Sequence, residues 1–205
     1  INLINCAPSA FYPLVEDHRS EDREALKHLQ HVIFGGEAIK LERLREWIES
    51  QHFNARISNH YGPTECTDIA TAFTIENPES FLQKPVPMGK PIQNVQLHSV
   101  DSGFKILPQG FTGELLISGE SLGLGYFGRE QLNQAMFINH PLLGRCYRTG
   151  DLAFNDSNGN WQFVSRIDSQ MKLRGLRIEA GEIILSGSLV PLEPVVRGDE
   201  MLMTI

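Results

Sequence analysis

Asn59-His60-Tyr61-Gly62-Pro63-Thr64-Glu65 packs an aromatic ring, a glycine–proline turn, a hydroxyl and a carboxylate into one short run. Tyr61 offers a flat face on which a base can stack. Gly62 and Pro63 force a turn that lets backbone approach a ligand closely. Thr64 carries a hydroxyl for a phosphate oxygen, and Glu65 is a hard oxygen ligand of the kind Mg²⁺ accepts. The set suits a nucleotide site that also needs a metal. The competing reading is a surface turn after a strand, with Glu65 merely solvated.

Upstream of this heptad the pattern alternates strand and helix. Ile1 to Cys6 reads as a short buried strand ended by Pro8, and Ala10 to Val15 as a helical turn. Ser20 to Gln30 reads as a helix with Ser20 as its N-cap. His31 to Phe34 is a second strand, stopped by Gly35-Gly36. Lys40 to Gln51 predicts an amphipathic helix, with Leu41, Leu44, Trp47 and Ile48 as a core-facing stripe. Ala55 to Ser58 is a third strand that delivers the heptad at its end. Such alternation implies a parallel sheet. Ligands of such sheets bind beyond the carboxyl ends of the strands, so Gly35-Gly36-Glu37 and the heptad can share one pocket.

Downstream the composition shifts. Asn77 to Pro91 is proline-rich and reads as a connector. Val95 to Val100, Gly113 to Ser118, Tyr147 to Phe154 and Trp161 to Arg166 read as strands, the last two as a hairpin, and Met171 to Ile178 as another hairpin. Together they predict a small antiparallel barrel or sheet. The glycine-rich bend at Gly119, Gly123 and Gly125 lacks the Lys-Ser/Thr ending of a phosphate loop and reads as a turn.

At 205 residues the chain has room for one large domain or two small ones. Its 41% hydrophobic and 21% charged content fits a globular protein with a real core. A net charge of −7 argues against nucleic-acid partners, which select a basic surface. Cys6, Cys66 and Cys146 are far apart and odd in number, which predicts reduced thiols and a cytoplasmic setting. No apolar run is long enough to span a membrane. Opening on INLINCAP without an initiator methionine, the chain reads as the middle of a longer protein.

Three further stretches follow the heptad in order: GELLISGESLGLGY (Gly113 to Tyr126), YRTGDL (Tyr147 to Leu152) and SRIDSQMKLRGLRIEAGEI (Ser165 to Ile183). In YRTGDL the glycine allows a tight bend that presents Asp151, whose carboxylate can accept hydrogen bonds from vicinal hydroxyls; the alternative is an Asx-type turn cap. Arg166 is a fixed cation whose fork of donors suits phosphate or ribose oxygens. The four stretches, in this order and spacing, resemble the adenylate-forming enzymes, and YGPTE, YRTGDL and the Asp-x-Gln run look most like the amino-acid adenylation domains of nonribosomal peptide synthetases. The resemblance runs from Ile1 to about Ile183.

That resemblance implies an α/β fold. Residues 1–80 would be the parallel-sheet part of an adenylation-domain core, residues 81–167 a small antiparallel β-barrel-like subdomain, and residues 168–205 a hinge and the start of a C-terminal lid. It implies ATP and Mg²⁺ as cofactors, with Thr64 on phosphate, Glu65 as metal ligand and Arg166 as the third catalytic residue. Tyr61 would stack on adenine, Gly36, Glu37, Ala38, Asn59 and Phe163 would line base and ribose, Asp151 would take the ribose hydroxyls, and Lys172 would lie near the nucleotide. Asn5, Ile33, Gly35, His60, Asp68 and Ile69 would form the amino-acid pocket, with a polar lining from His60 and Asp68. Asp168 would be the hinge and Gly175 part of the loop facing the thiol tunnel. Ser165 stands where the family usually has glycine.

The implied partners are an amino-acid substrate, a peptidyl carrier domain bearing phosphopantetheine, and an adjacent condensation domain. The phosphate loop, the aspartate that holds the α-amino group and the catalytic lysine have no counterpart in the sequence. After Ile183 the resemblance ends, and Gly187, Pro191 and Pro194 would break the lid helix. The reading is therefore a fragment of an amino-acid-activating domain, inactive alone. The alternatives are an acyl-CoA or aryl-CoA ligase of the same superfamily, or a non-catalytic nucleotide-binding remnant.

Overall fold

The computed structural model describes residues 1–16 and 26–168, together with the backbone of 171–173 and 176–178. Two sheets carry it. In the first, β1 (Leu3–Cys6), β2 (His31–Gly35) and β3 (Arg56–Tyr61) run parallel, as the strand–helix alternation predicts. β4 (Thr71–Ile75) and β5 (Lys90–Pro91) then extend the sheet antiparallel, giving the order β1-β2-β3-β4-β5. The class is α/β, but the sheet is mixed where the sequence implied a parallel one.

β3 runs three residues further than Ala55 to Ser58. It takes in Asn59, His60 and Tyr61, so the heptad is half strand and half turn. Strand alternation then points Ile57, Asn59 and Tyr61 to one face and Ser58 and His60 to the other. The first face packs under α1 (Pro8–Glu16) and the segment from Leu41 to Ile48. Phe11, Val32, Phe34, Leu41, Leu44, Trp47 and Ile57 form its core. Phe11 meets the Phe34 and Trp47 rings at 5.4 and 5.3 Å between centroids.

The predicted helix over 40–51 is shorter and tighter. A 3₁₀ turn, Leu41–Leu44, runs into α2 (Arg45–Ile48). The three-residue repeat of the 3₁₀ turn brings Leu41 and Leu44 onto one side, and both are buried. The Ser20 cap lies outside the described residues.

The second sheet is antiparallel, in the order β10-β9-β7-β6: β6 (Val95–Val100), β7 (Gly113–Gly119), β9 (Gly144–Asn155) and β10 (Trp161–Arg166). β8 (Phe137–His140) pairs with the first part of β9, on the side opposite β7. The sheet stays open, with β6 and β10 as edges, and does not close into a barrel. α3 (Glu130–Met136) and β8 had no expectation in the sequence; α3 has no fully buried residue, and its Met136 is partly buried against the second core. β11 (Met171–Leu173) and β12 (Leu176–Ile178) pair antiparallel, the hairpin expected at 171–178.

A second core, with Leu97, Leu115, Ile117, Tyr147, Ala153 and Trp161, lies on this sheet. Cys66, Ala70 and Met88 join it, and Tyr61 packs against it. The loop after β3 therefore bridges the two sheets. No helix among the described residues is long and apolar enough to cross a membrane.

Candidate nucleotide site

Asp151 on β9 and Arg166 on β10 are direct cross-strand partners in the antiparallel ladder, so their side chains share a face. Arg166 Nη1 donates to Asp151 Oδ1 at 2.8 Å and to the Thr149 carbonyl at 3.0 Å. Its Nε and Nη2 form a two-pronged pair with Asp168, both at 2.7 Å. From the end of β3 the Tyr61 hydroxyl donates to Asp151 Oδ2 at 2.5 Å. The Asp151 side chain is 7% exposed. A carboxylate this deep needs such partners, since burying it unpaired would cost several kcal/mol.

Burial, and then the neighbouring Asp151 charge, push the Tyr61 phenol well above its ordinary value, so it remains a proton-bearing donor. Hydrogen bonding to Asp168 holds the Arg166 guanidinium in its charged form. Gly150 lies at φ +69°, where a Cβ would stand 2.8 Å from Arg166 Nη2. Glycine thus lets the bend tuck beneath the guanidinium. Thr149 Oγ1 locks the same bend, donating to the Leu115 carbonyl and accepting from the Asp151 N–H.

Tyr61, Asp151 and Arg166 border a cavity of about 390 Å³ between the sheets. The turn after β2 supplies Gly36, Glu37 and Ala38, β3 and its turn supply Asn59 to Gly62, and β10 supplies Phe163. The volume is within the range of small-molecule sites. Every residue expected around base and ribose lines it, apart from Lys172, whose side chain lies outside the described residues. His60, expected in the amino-acid pocket, lines it too.

Val86 and Met88 complete the wall and were not anticipated. Asn59 Nδ2 donates to the Pro87 carbonyl at 2.7 Å, and Met88 bonds the Trp161 carbonyl through its N–H at 2.9 Å. Together these bonds press the connector against the cavity. The signal in sequence was the apolar–Pro–apolar run Val86-Pro87-Met88 inside a stretch read only as a linker.

Thr64 and Glu65 do not line the cavity. They sit in a 3₁₀ turn, Thr64–Cys66, with Thr64 exposed and Glu65 half-buried. Glu65 Oε1 accepts a hydrogen bond from the Tyr126 hydroxyl at 2.5 Å, so the carboxylate is oriented by protein and not simply solvated. The turn doubles back, and the Ala70 N–H reaches the Tyr61 carbonyl at 2.8 Å. A Cβ at Gly62 would stand 2.3 Å from the Asp68 carbonyl oxygen, so only glycine fits. Thr67 and Asp68 take positive φ, 56° and 72°, to complete the reversal. Cys66 beneath it is buried, its thiol pushed up to about 12, and so is no nucleophile.

The residues expected in the amino-acid pocket separate from the cavity in an ordered way. Register pairs Asn5 with Ile33 and Gly35 with His60, and strand alternation places all four on the sheet face away from the helical layer. On that face His31 Nε2 and Ser58 Oγ lie 2.8 Å apart, with Ser58 Oγ 3.3 Å from Thr74 Oγ1. Burial, with the nearby His31, lowers the His60 pKa, which Asp68 opposes; the imidazole is neutral at pH 7. Asp68 and Ile69 come from the reversing turn, Asp68 exposed and Ile69 half-buried.

A family model described as AMP-binding enzyme matches residues 1–127. Gramicidin S synthase 2 of Brevibacillus brevis is 38% identical over 178 residues, covering 86% of this chain and 4% of that protein. Zwittermicin A synthase ZmaJ of Bacillus cereus is 41% identical over 160 residues, covering 77% of this chain and 30% of that protein. The chain thus spans well under two thirds of these relatives.

Among solved structures, holo-PA1221, described as an NRPS protein containing adenylation and PCP domains, superposes with a TM-score of 0.77 at 27% identity, covering 87% of this chain and 31% of that one. The N-terminal subdomain of Klebsiella oxytoca NpsA, solved in complex with 3-hydroxybenzoyl-AMSN, gives 0.68 at 26% identity, covering 81% and 42%. The chain belongs to the AMP-binding enzyme family, and is similar to the adenylation domains of nonribosomal peptide synthetases.

Proposed function

We propose that this chain supplies the adenosine-binding part of an amino-acid adenylation domain. Residues 1–80 would be part of the α/β core, residues 81–167 the β-rich subdomain, and Asp168 the hinge to a lid. The carrying observation is the buried Asp151 carboxylate, fixed by Tyr61 and Arg166 at the edge of a cavity of about 390 Å³. A carboxylate oxygen that accepts one hydrogen bond keeps acceptor capacity for another. Two vicinal ribose hydroxyls would take those places.

The aromatic face of Tyr61 and the apolar Val86, Met88 and Phe163 would flank the base. In the reaction an amino-acid carboxylate oxygen bonds to the α-phosphorus of ATP as the bond to pyrophosphate breaks, leaving an aminoacyl adenylate. No covalent step falls to the protein, whose side chains position groups and stabilise charge. Arg166 would hold its charge near the ribose and phosphate oxygens. The face bearing Asn5, Ile33, Gly35 and His60, with Asp68 and Ile69 beside it, would receive the amino acid.

Among the described residues no three His, Cys, Asp or Glu side chains converge as a metal site. The single half-buried Glu65 carboxylate suits Mg²⁺ bound as it commonly is in nucleotide enzymes, through one or two carboxylates with phosphate oxygens completing the shell. Glu65 would be the carboxylate and Thr64 its neighbour on phosphate. The ion would neutralise charge on the triphosphate. In the parent the acyl group would pass to a phosphopantetheine thiol on a carrier domain, with a condensation domain adjacent.

The test is amino-acid-dependent exchange of pyrophosphate into ATP by the parent synthetase. Exchange with amino acids and not with fatty acids is expected; preference for a fatty acid over every amino acid would overturn the amino-acid reading.

A further inference from the structure

The glycine-rich bend between β7 and α3 does more than turn the chain. It is fastened to the turn that carries Glu65 at several points. The Gly123 N–H donates to the Glu65 carbonyl at 2.7 Å, and Thr67 Oγ1 donates to the Ser121 carbonyl at 2.8 Å. From β9, Arg145 Nη2 holds the Gly123 and Leu124 carbonyls at 2.8 and 2.9 Å, with its guanidinium 4.6 Å from the centroid of the Phe137 ring.

Tyr126 ends this arm. The Asn133 amide grips its backbone on both sides: Oδ1 accepts from the Tyr126 N–H at 2.6 Å, and Nδ2 donates to the Tyr126 carbonyl at 2.8 Å. The ring lies edge-on to Phe137, centroids 5.8 Å apart. Its hydroxyl reaches Glu65 Oε1 at 2.5 Å, with the buried Tyr147 hydroxyl 3.4 Å away. An O–H···O⁻ bond this short is charge-assisted and directional. Backbone, ring and hydroxyl of Tyr126 are therefore all fixed, and the fixed hydroxyl sets the rotamer of Glu65.

We propose that Tyr126, held by Asn133, is a positioning residue that orients the Glu65 carboxylate toward the cation accompanying the nucleotide. The inference rests on the reading of Glu65 as the protein's ligand to Mg²⁺. Groups that hydrogen-bond a metal-ligating carboxylate fix its aim, and losing one commonly costs about ten- to a hundredfold in metal affinity. Phenylalanine at this position keeps the contact with Phe137 and removes only the hydroxyl.

The experiment measures ATP binding to the 205-residue chain by calorimetry, first in EDTA and then across a MgCl₂ titration. The proteins are the wild type, Tyr126→Phe, Asn133→Ala and Glu65→Gln. Tyr126→Phe should bind metal-free ATP within about twofold of wild type yet need about tenfold more free Mg²⁺ for half-maximal tightening, with Asn133→Ala shifted in the same direction. An unchanged Mg²⁺ requirement in Tyr126→Phe, while Glu65→Gln loses the tightening, overturns the positioning role alone. An equal loss of metal-free affinity would make Tyr126 merely structural and overturn it too. If Glu65→Gln also matches wild type, the assignment of Glu65 as cation ligand falls, and this proposal with it.

Discussion

The Tyr61 hydroxyl donates to Asp151 Oδ2 at 2.5 Å across 90 residues of sequence, joining the end of a parallel strand to the middle of an antiparallel one. This bond ties the two sheets together at the cavity edge, and its removal should be visible in stability. Tyr61→Phe keeps the ring but leaves a buried carboxylate short of a donor, at a cost of about 1–3 kcal/mol. For a chain of this size that corresponds to a melting temperature lowered by roughly 2–12 °C. Differential scanning calorimetry reads it directly.

The same phenol makes a pH prediction. Its folded-state pKa is raised above the ordinary value of 10.0 that it regains on unfolding. The stabilisation is fully present below that value. It is lost as pH climbs above it, because the unfolded chain then releases a proton that the folded chain retains. Between about pH 9 and 11 the wild-type melting temperature should therefore fall more steeply than that of Tyr61→Phe. Parallel slopes would show that Tyr61 is not the group responsible.

The reversing turn predicts an order among substitutions. Asp68 sits at φ 72°, a conformation that costs an ordinary L-residue roughly 1–2 kcal/mol and a β-branched one more. Melting temperatures should rank Asp68→Gly at or above wild type and Asp68→Val clearly below it. At Gly62 the constraint is steric: an added Cβ meets the Asp68 carbonyl oxygen at 2.3 Å. Gly62→Ala should lose about 1–3 kcal/mol, as overpacking does. It should also weaken nucleotide binding, since the displaced turn carries part of the cavity wall.

Glu65→Gln in the parent separates site from fold. The half-buried side chain accepts a hydrogen bond from Tyr126, which an amide oxygen can also accept. The substitution trades a charge-assisted bond for a neutral one, so the fold should lose no more than about 1 kcal/mol, a melting-temperature shift of at most roughly 4 °C. Pyrophosphate exchange should drop sharply. Wild-type exchange at limiting Mg²⁺ would remove Glu65 from the site.

How much of this was legible in the sequence depended on how far apart the partners lie. Strand ends with unusual residues stood out locally, Gly35-Gly36-Glu37 and the heptad, as did Gly150-Asp151 within β9. The parallel core followed from the alternation of apolar runs, and the buried Leu41, Leu44, Trp47 and Ile48 from their spacing. The hydroxyl of Tyr61 was not legible, because its partner is distant in sequence and an aromatic ring invites a stacking role first. Val86 and Met88 were hidden by the prolines around them, which signal a linker whatever the side chains touch. The link between the glycine bend and Glu65 was invisible too, since turn glycines carry no mark of what the turn docks against. α3 escaped because it is short and has no fully buried residue, Met136 alone packing against the second core.

On the proposed reading, the cavity bounded by Asp151, Tyr61 and Arg166 receives the adenosine part of a nucleotide. Titration of AMP, without metal, into the 205-residue chain and its Asp151→Asn variant tests this most directly, because neither phosphate transfer nor the amino acid is involved. The wild type should bind, and Asp151→Asn, with near-UV circular dichroism unchanged, should bind at least about tenfold more weakly, the worth of charge-assisted bonds to a ligand's hydroxyls. Absence of AMP binding by the folded wild type, or equal affinity in the two proteins, would contradict that assignment.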